Sequence, residues 1–179
     1  MEKTNKTRKK EILKKIKKAG SEKYETSWDE KGIPYSKKKS KIKKGRVSRA
    51  AGARFELRVR KDLESMKRVV DKWSNNVDLD LGKVVPAKRK FNPFSKVMTI
   101  GTGFPDFISI KRVREDLYSV VGVEVKTNGI LSKIEKEKCA YYLKNKIFSE
   151  IWIAKLDREG NKIVIKYDNF KEKYPKYLE

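Results

Sequence analysis

The hydrophobic positions along the chain change period several times, and each change marks an element. From Ser48, the stretch SRAAGARFELRVRKDLESMKR sets Phe55, Val59, Leu63 and Met66 at helical spacing. An apolar stripe recurring every three or four residues predicts an amphipathic helix that turns the stripe to a core. VVDKWS, from Val69, reads as a short strand. The segment from Asn75 to Met98 carries Pro86, Pro93 and the basic cluster AKRKF, and reads as loop. Two β-branched runs follow, FPDFISIKR and LYSVVGVEVK, joined by the charged turn RVRED. Ser132 opens a second helix, SKIEKEKCAYYLKNK, with Ile134, Cys139 (or Lys138), Tyr142 and Leu143 roughly on one face. EIWIAKL and KIVIKY flank the turn signal DREGN and predict a hairpin. This order predicts an α/β fold with a central mixed β-sheet flanked by helices.

One strand breaks its own pattern. In VVGVEVKTNG, side chains alternate across the strand, so Val121, Val123 and Val125 share one face while Glu124 and Lys126 leave the other. An exposed edge would hold that pair as a solvated salt bridge; a cleft would use it as a fixed carboxylate and ammonium. A turn centred near Arg114 and Glu115 sets Asp106 opposite Glu124 on the neighbouring strand. Facing carboxylates repel unless something positive lies between them. Mg²⁺ or Mn²⁺ would serve, since both prefer carboxylate, carbonyl and water ligands, and the Val125 carbonyl is a further candidate ligand. Lys126 is then placed to orient or deprotonate a water, or to stabilise charge on a phosphate.

Composition narrows the chemistry. The 179 residues contain one cysteine, Cys139, no histidine and no glutamine. Catalysis through Ser-His-Asp or Cys-His pairs and histidine-ligated zinc are therefore excluded, leaving carboxylates, lysines, hydroxyls and hard metal ions. Hydrophobic residues make up 37% and charged residues 40%, and no apolar run approaches a membrane span. The N-terminus shows no signal-peptide core, and a cytoplasmic location, or a host cytoplasm for a viral protein, is expected. The net charge is +23. Residues 1–46 carry 18 basic and 6 acidic residues, and residues 47–179 carry 29 and 18, so both parts are basic. A polyanion, nucleic acid before membrane, is the expected partner, and DNA the first choice. Residues 1–46 read as a basic N-terminal extension, flexible or ordered on a partner, with a short helix in TRKKEILKKIKKAG.

Pro105-Asp106 followed by Glu124-x-Lys126 resembles the PD-(D/E)xK nuclease superfamily. AAGARFELRVRKDL is similar to the first helix of its archaeal Holliday-junction resolvase-like branch, where a metal-linked glutamate follows a small-residue turn, the place of Glu56. GFPDFISI and VGVEVKTNGILSKIEKEKCAYYL look like the strand–strand–helix that follows, and the similarity spans roughly residues 47–157. It implies a restriction-endonuclease-like core in residues 47–179 and Mg²⁺-dependent hydrolysis of DNA phosphodiesters. Glu56, Asp106 and Glu124 would hold the metal and Lys126 assist the water. Branched DNA is one implied substrate, and a junction-resolving member implies a homodimer. The family often has glutamine in the second helix, where this chain has Glu135. The competing expectation is a non-catalytic basic DNA-binding protein that keeps the nuclease fold.

The remaining features have plainer readings. Glu56 has an alternative as a surface partner of Arg60 one turn on. Ser48 is expected to cap the first helix, with Arg49, Arg54, Arg58, Lys88, Arg89, Lys90 and Lys133 as DNA-contact candidates. Asp78 and Asp80 are expected to serve a turn, the glycines of IGTGFPD to form another, and Trp28, Trp73 and Trp152 to pack in the core.

Overall fold

A computed structural model describes residues 5–29, 32–92, 96–100 and 103–179, and the chain divides into two units, residues 1–53 and 54–179. The first unit holds α1 (Asn5–Ala19), a hairpin of β1 (Tyr24–Trp28) and β2 (Pro34–Lys38), and the first part of α2 (Lys39–Ser65). Asp29 clasps the hairpin turn, its backbone N–H donating to the Ile33 carbonyl and its side chain accepting the Ile33 N–H at 2.8 Å. The segment read as a basic extension, flexible or ordered on a partner, carries regular secondary structure among its described residues. The change of composition at residue 46 falls inside α2, because nothing from Lys39 to Ser65 breaks a helix: the stretch has no proline. Ser48 is consequently interior to a helix rather than a cap.

The second unit is a mixed α/β structure. Its short hairpins are β4 (Asn75–Asp78) with β5 (Lys83–Pro86), and β6 (Arg89–Asn92) with β7 (Val97–Ile100). These occupy the segment read as loop; strands of four residues are too short to show a period. Asp78 serves a turn as expected, its carboxylate accepting the N–H groups of Asp80 and Leu81. The main sheet has five strands in the order β11-β10-β9-β8-β3, built from β3 (Val69–Lys72), β8 (Phe107–Arg114), β9 (Leu117–Val125), β10 (Glu150–Glu159) and β11 (Lys162–Asn169). Every pairing is antiparallel except β9 with β10, which are joined through α3 (Lys133–Lys144). A short helix α4 (Phe170–Lys173) follows the last strand.

Both faces of the sheet are covered. On one, Phe55, Val59 and Leu63 of α2 pack on Val70, Phe107, Val121, Val123 and Ala154. The predicted stripe stops there, because α2 ends at Ser65 and leaves Met66 exposed. On the other, Cys139 and Tyr142 of α3 join Phe104, Leu131, Phe148, Ile151, Ile153 and Phe170. Ile134, expected on the same face as these, is exposed. Burying a large apolar side chain contributes about 1.5–3 kcal/mol, so the central strands β9 and β10, covered on both sides, anchor the unit. No described helix is long and apolar enough to cross a membrane.

Candidate functional site

The register of β8 and β9 pairs Phe107 with Val123. Continued by one residue, it brings Asp106 beside Glu124, and Asp106 Oδ2 accepts the Val125 N–H at 2.9 Å. Two glycines make this approach possible. A Cβ on Gly122 would lie 2.9 Å from the Pro105 ring and 3.1 Å from Phe148, so glycine is what lets Pro105 approach β9 this closely. At Gly103 a Cβ would lie 2.0 Å from the Trp73 carbonyl oxygen, a distance no side chain tolerates. The same contact strip is pinned by hydrogen bonds from Phe104 N–H to the Asn75 carbonyl and from Trp73 N–H to that of Asp106.

Glu124 is 4% exposed, because it stands on a central strand with α3 packed above it. Its Oε1 meets Lys126 Nζ at 2.9 Å, while its Oε2 is buried with no hydrogen-bond partner. Burial first, and then the charge of Asp106, pushes the Glu124 carboxyl up to about 8, against the opposing pull of Lys126. Asp106 is raised as well, by burial, with the Val125 N–H opposing and the negative charge of Glu56 adding to the rise. A buried carboxylate with one lone oxygen is a costly arrangement in isolation.

Lys126 is held from both sides. Its ammonium lies 2.9 Å from Glu124 and 2.7 Å from Glu135 Oε1. Burial would lower its pKa, but hydrogen bonds to Glu135 and Glu124 outweigh it and the group is raised above its ordinary value. Lys126 is therefore a fixed cation and not a base at neutral pH. Glu135 is fixed in turn: Ser132 and Glu135 form a reciprocal capping box at the start of α3, with the Ser132 N–H donating to Glu135 Oε2 at 2.7 Å. Despite partial burial, the bonds from Lys126 and Ser132 hold Glu135 below the usual carboxylate range. Beyond β9 the backbone stays hydrogen-bonded to β10, as Lys126 N–H donates to the Ala154 carbonyl and Leu156 N–H to that of Thr127.

In comparisons with protein families, curated proteins and solved structures, none matches this chain.

Asp106, Glu124, Val125 and Lys126 are brought together. Glu56 is not joined to them directly: its Oε2 lies 2.6 Å from Lys72 Nζ on β3, and its influence on Asp106 is electrostatic. Arg60, the alternative partner of Glu56, pairs with Glu64 instead. Among the described residues no group of three or more Asp, Glu, His and Cys side chains converges at metal-ligand spacing. The donors that do converge are two hard carboxylates, one with an unpartnered buried oxygen, which suits a hard divalent cation and no softer metal.

The DNA-contact candidates are dispersed. Arg54, Arg58, Lys88 and Arg89 are exposed, with Arg58 reaching the Ile163 carbonyl at 3.5 Å. Lys133 is exposed near Glu137 on α3. Arg49 lies on α2 within the first unit. Lys90 lies outside the residues whose side chains are described, as does Gly101 of the glycine turn. Trp73 and Trp152 are packed, donating to the Tyr142 hydroxyl and to Glu150, but Trp28 is 68% exposed, against the expectation of a core role.

Sequence reasoning missed two arrangements. The capping box was visible as Ser132-x-x-Glu135, although nothing local linked it to Lys126. A buried arginine, Arg68, donates to Ser109 and Ser119 and stacks 4.8 Å over the Trp152 ring, a cluster no spacing announces.

Proposed function

We propose that this protein is a Mg²⁺-dependent DNA endonuclease of restriction-endonuclease-like fold. The observation that carries the reading is the pairing of half-buried Asp106 with buried Glu124, whose unpartnered oxygen lies beside a doubly anchored Lys126. Asp106 and Glu124 would hold Mg²⁺, or Mn²⁺ in its place, with the Val125 carbonyl as a further candidate. When bound, the ion supplies Lewis acidity toward a phosphodiester. Lys126 offers its ammonium to a non-bridging phosphate oxygen, and preorganisation by Glu124 and Glu135 means no reorganisation is needed as charge develops there. Glu56 acts on Asp106 through its charge and becomes a ligand only if Lys72 releases it. The basic balance of the whole chain supports DNA as partner.

The test is incubation of four-way junction, flap, linear duplex and single-stranded DNA with Mg²⁺ or Mn²⁺. Metal-dependent cleavage that disappears in Asp106→Asn supports the reading; no cleavage of any substrate with either ion sinks it. A preference for the junction would add a two-fold dimer, measured by sedimentation. The second reading, a DNA-binding protein that keeps the fold without turnover, is favoured by the Glu56–Lys72 pair, which leaves two carboxylates converging among the described residues. It predicts DNA binding with no cleavage.

A further inference from the structure

The first unit contains a cavity of about 620 Å³ between the hairpin and the N-terminal part of α2. Its lining includes Tyr24, Ser36, Lys37, Lys38, Lys41 and Arg49, and no acidic residue among the described ones. Lys41 and Arg49, two helical turns apart, fall on one side of α2. Three of these cations, Lys38, Lys41 and Arg49, gathered in a concavity without a carboxylate focus a positive field that an anion relieves. The unit as a whole has 19 basic and 6 acidic residues.

The hairpin adds a second, independent feature. Its register sets Trp28 opposite Pro34, Thr26 opposite Ser36 and Tyr24 opposite Lys38. With a period of two, these pairs share one face, so the exposed indole lies on the face that carries Tyr24, Ser36 and Lys38 into the cavity. The distance along the strands from the Trp28 pair to the Tyr24 pair is roughly 13 Å. An exposed indole leaves a large flat apolar surface in water, whereas the other two tryptophans are packed and hydrogen-bonded. Tyr35, also exposed, stands on the opposite face with Lys37 Nζ 4.9 Å over its ring. A flat aromatic in line with a row of cations matches the alternation of base and phosphate in an unpaired strand.

We infer that the first unit is a single-stranded DNA-binding element, with phosphates seated among Lys38, Lys41 and Arg49 and an unpaired base stacked on Trp28. The choice of DNA over RNA rests on the proposed function; the stacking and the phosphate seat do not. An anionic membrane is the weaker fit. The exposed apolar strip of α1 is limited to Ile12, Leu13 and Ile16, without an aromatic residue, and the cations are held in a concavity.

The full chain is titrated in EDTA, so that cleavage plays no part, with short oligo(dT), a duplex of equal length, oligo(rU) and phosphatidylserine vesicles. Binding of oligo(dT) is expected to quench tryptophan fluorescence. Trp28→Ala should remove most of the quenching and weaken oligo(dT) binding roughly tenfold, with little effect on the duplex, while Trp28→Phe retains part of the affinity. Replacing Lys38, Lys41 and Arg49 together with alanine should flatten the salt dependence by about 2 in log–log slope. Undiminished oligo(dT) affinity in Trp28→Ala overturns the stacking, and an unchanged salt slope overturns the phosphate seat. Vesicle binding as tight as oligo(dT) binding overturns the nucleic-acid assignment, and preference for oligo(rU) overturns DNA. A failure to cleave DNA would defeat the proposed function and leave these measurements standing.

Discussion

Glu135 Oε1 lies 2.7 Å from Lys126 Nζ while its other oxygen closes the capping box of α3. One carboxylate thus starts a helix and aims a lysine at Glu124. The two roles separate by substitution. Glu135→Gln keeps a side chain able to close the box and should cost well under 1 kcal/mol. Glu135→Ala loses the box and the ion pair and should cost about 1–2 kcal/mol in urea unfolding. Both should lower the cleavage rate, because Lys126 loses its second anchor. Equal cleavage by all three proteins would show that Glu135 serves the helix alone.

The acidic pair predicts a metal-linked stability. Mg²⁺ at a hundredfold excess over its dissociation constant should stabilise the protein by about 2.7 kcal/mol, seen as a rise in Tm. Asp106→Asn and Glu124→Gln should lose that rise together with cleavage. Their DNA affinity in EDTA should hold or improve, since a charge that repels phosphate is gone. A full Mg²⁺ response in either variant would place the ion elsewhere.

Without metal, Glu124 makes stability depend on pH. Its carboxyl is raised from the ordinary glutamate value to about 8, so the native state keeps a proton that the unfolded chain releases. The contribution is complete below the unfolded value and is lost as pH climbs toward about 8. Unfolding in EDTA at about pH 5 and about pH 8 should therefore show lower stability at the higher pH, and Glu124→Gln should flatten the difference. The same pH dependence in both proteins would contradict the burial argument.

Gly122→Ala tests how the site is assembled. The added methyl would meet Pro105 and Phe148, and overpacking of this kind costs about 1–3 kcal/mol. Because Pro105 carries Asp106 with it, metal binding should weaken more than the stability loss alone accounts for. Calorimetry with Mn²⁺ under conditions where the variant remains folded checks this; unaltered affinity would mean Asp106 is placed independently of Pro105.

Much of the second unit was readable from local order. The α2 stripe of Phe55, Val59 and Leu63, the strands around VVGVEVK and the β10–β11 hairpin follow from side-chain period, which the backbone geometry imposes wherever one face is buried. The closeness of Asp106 to Glu124 was legible to within one residue: the turn pairs Arg114 with Leu117, and a register shift between Arg112 and Arg114 brings Asp106 opposite Glu124. Other features depend on elements far apart in sequence. That Glu124 is buried, with one oxygen unpartnered, required α3 to cover the sheet. That Lys126 is a fixed cation required Glu135 to arrive from that helix, and that Glu56 meets Lys72 required α2 to lie along β3. The exposure of Trp28 was likewise beyond reach, since a tryptophan's composition is the same in a core or on a hairpin face. Period and register are properties of neighbouring residues, so sequence alone determines them; burial and charge pairing belong to the spaces between elements, and only the tertiary structure decides those.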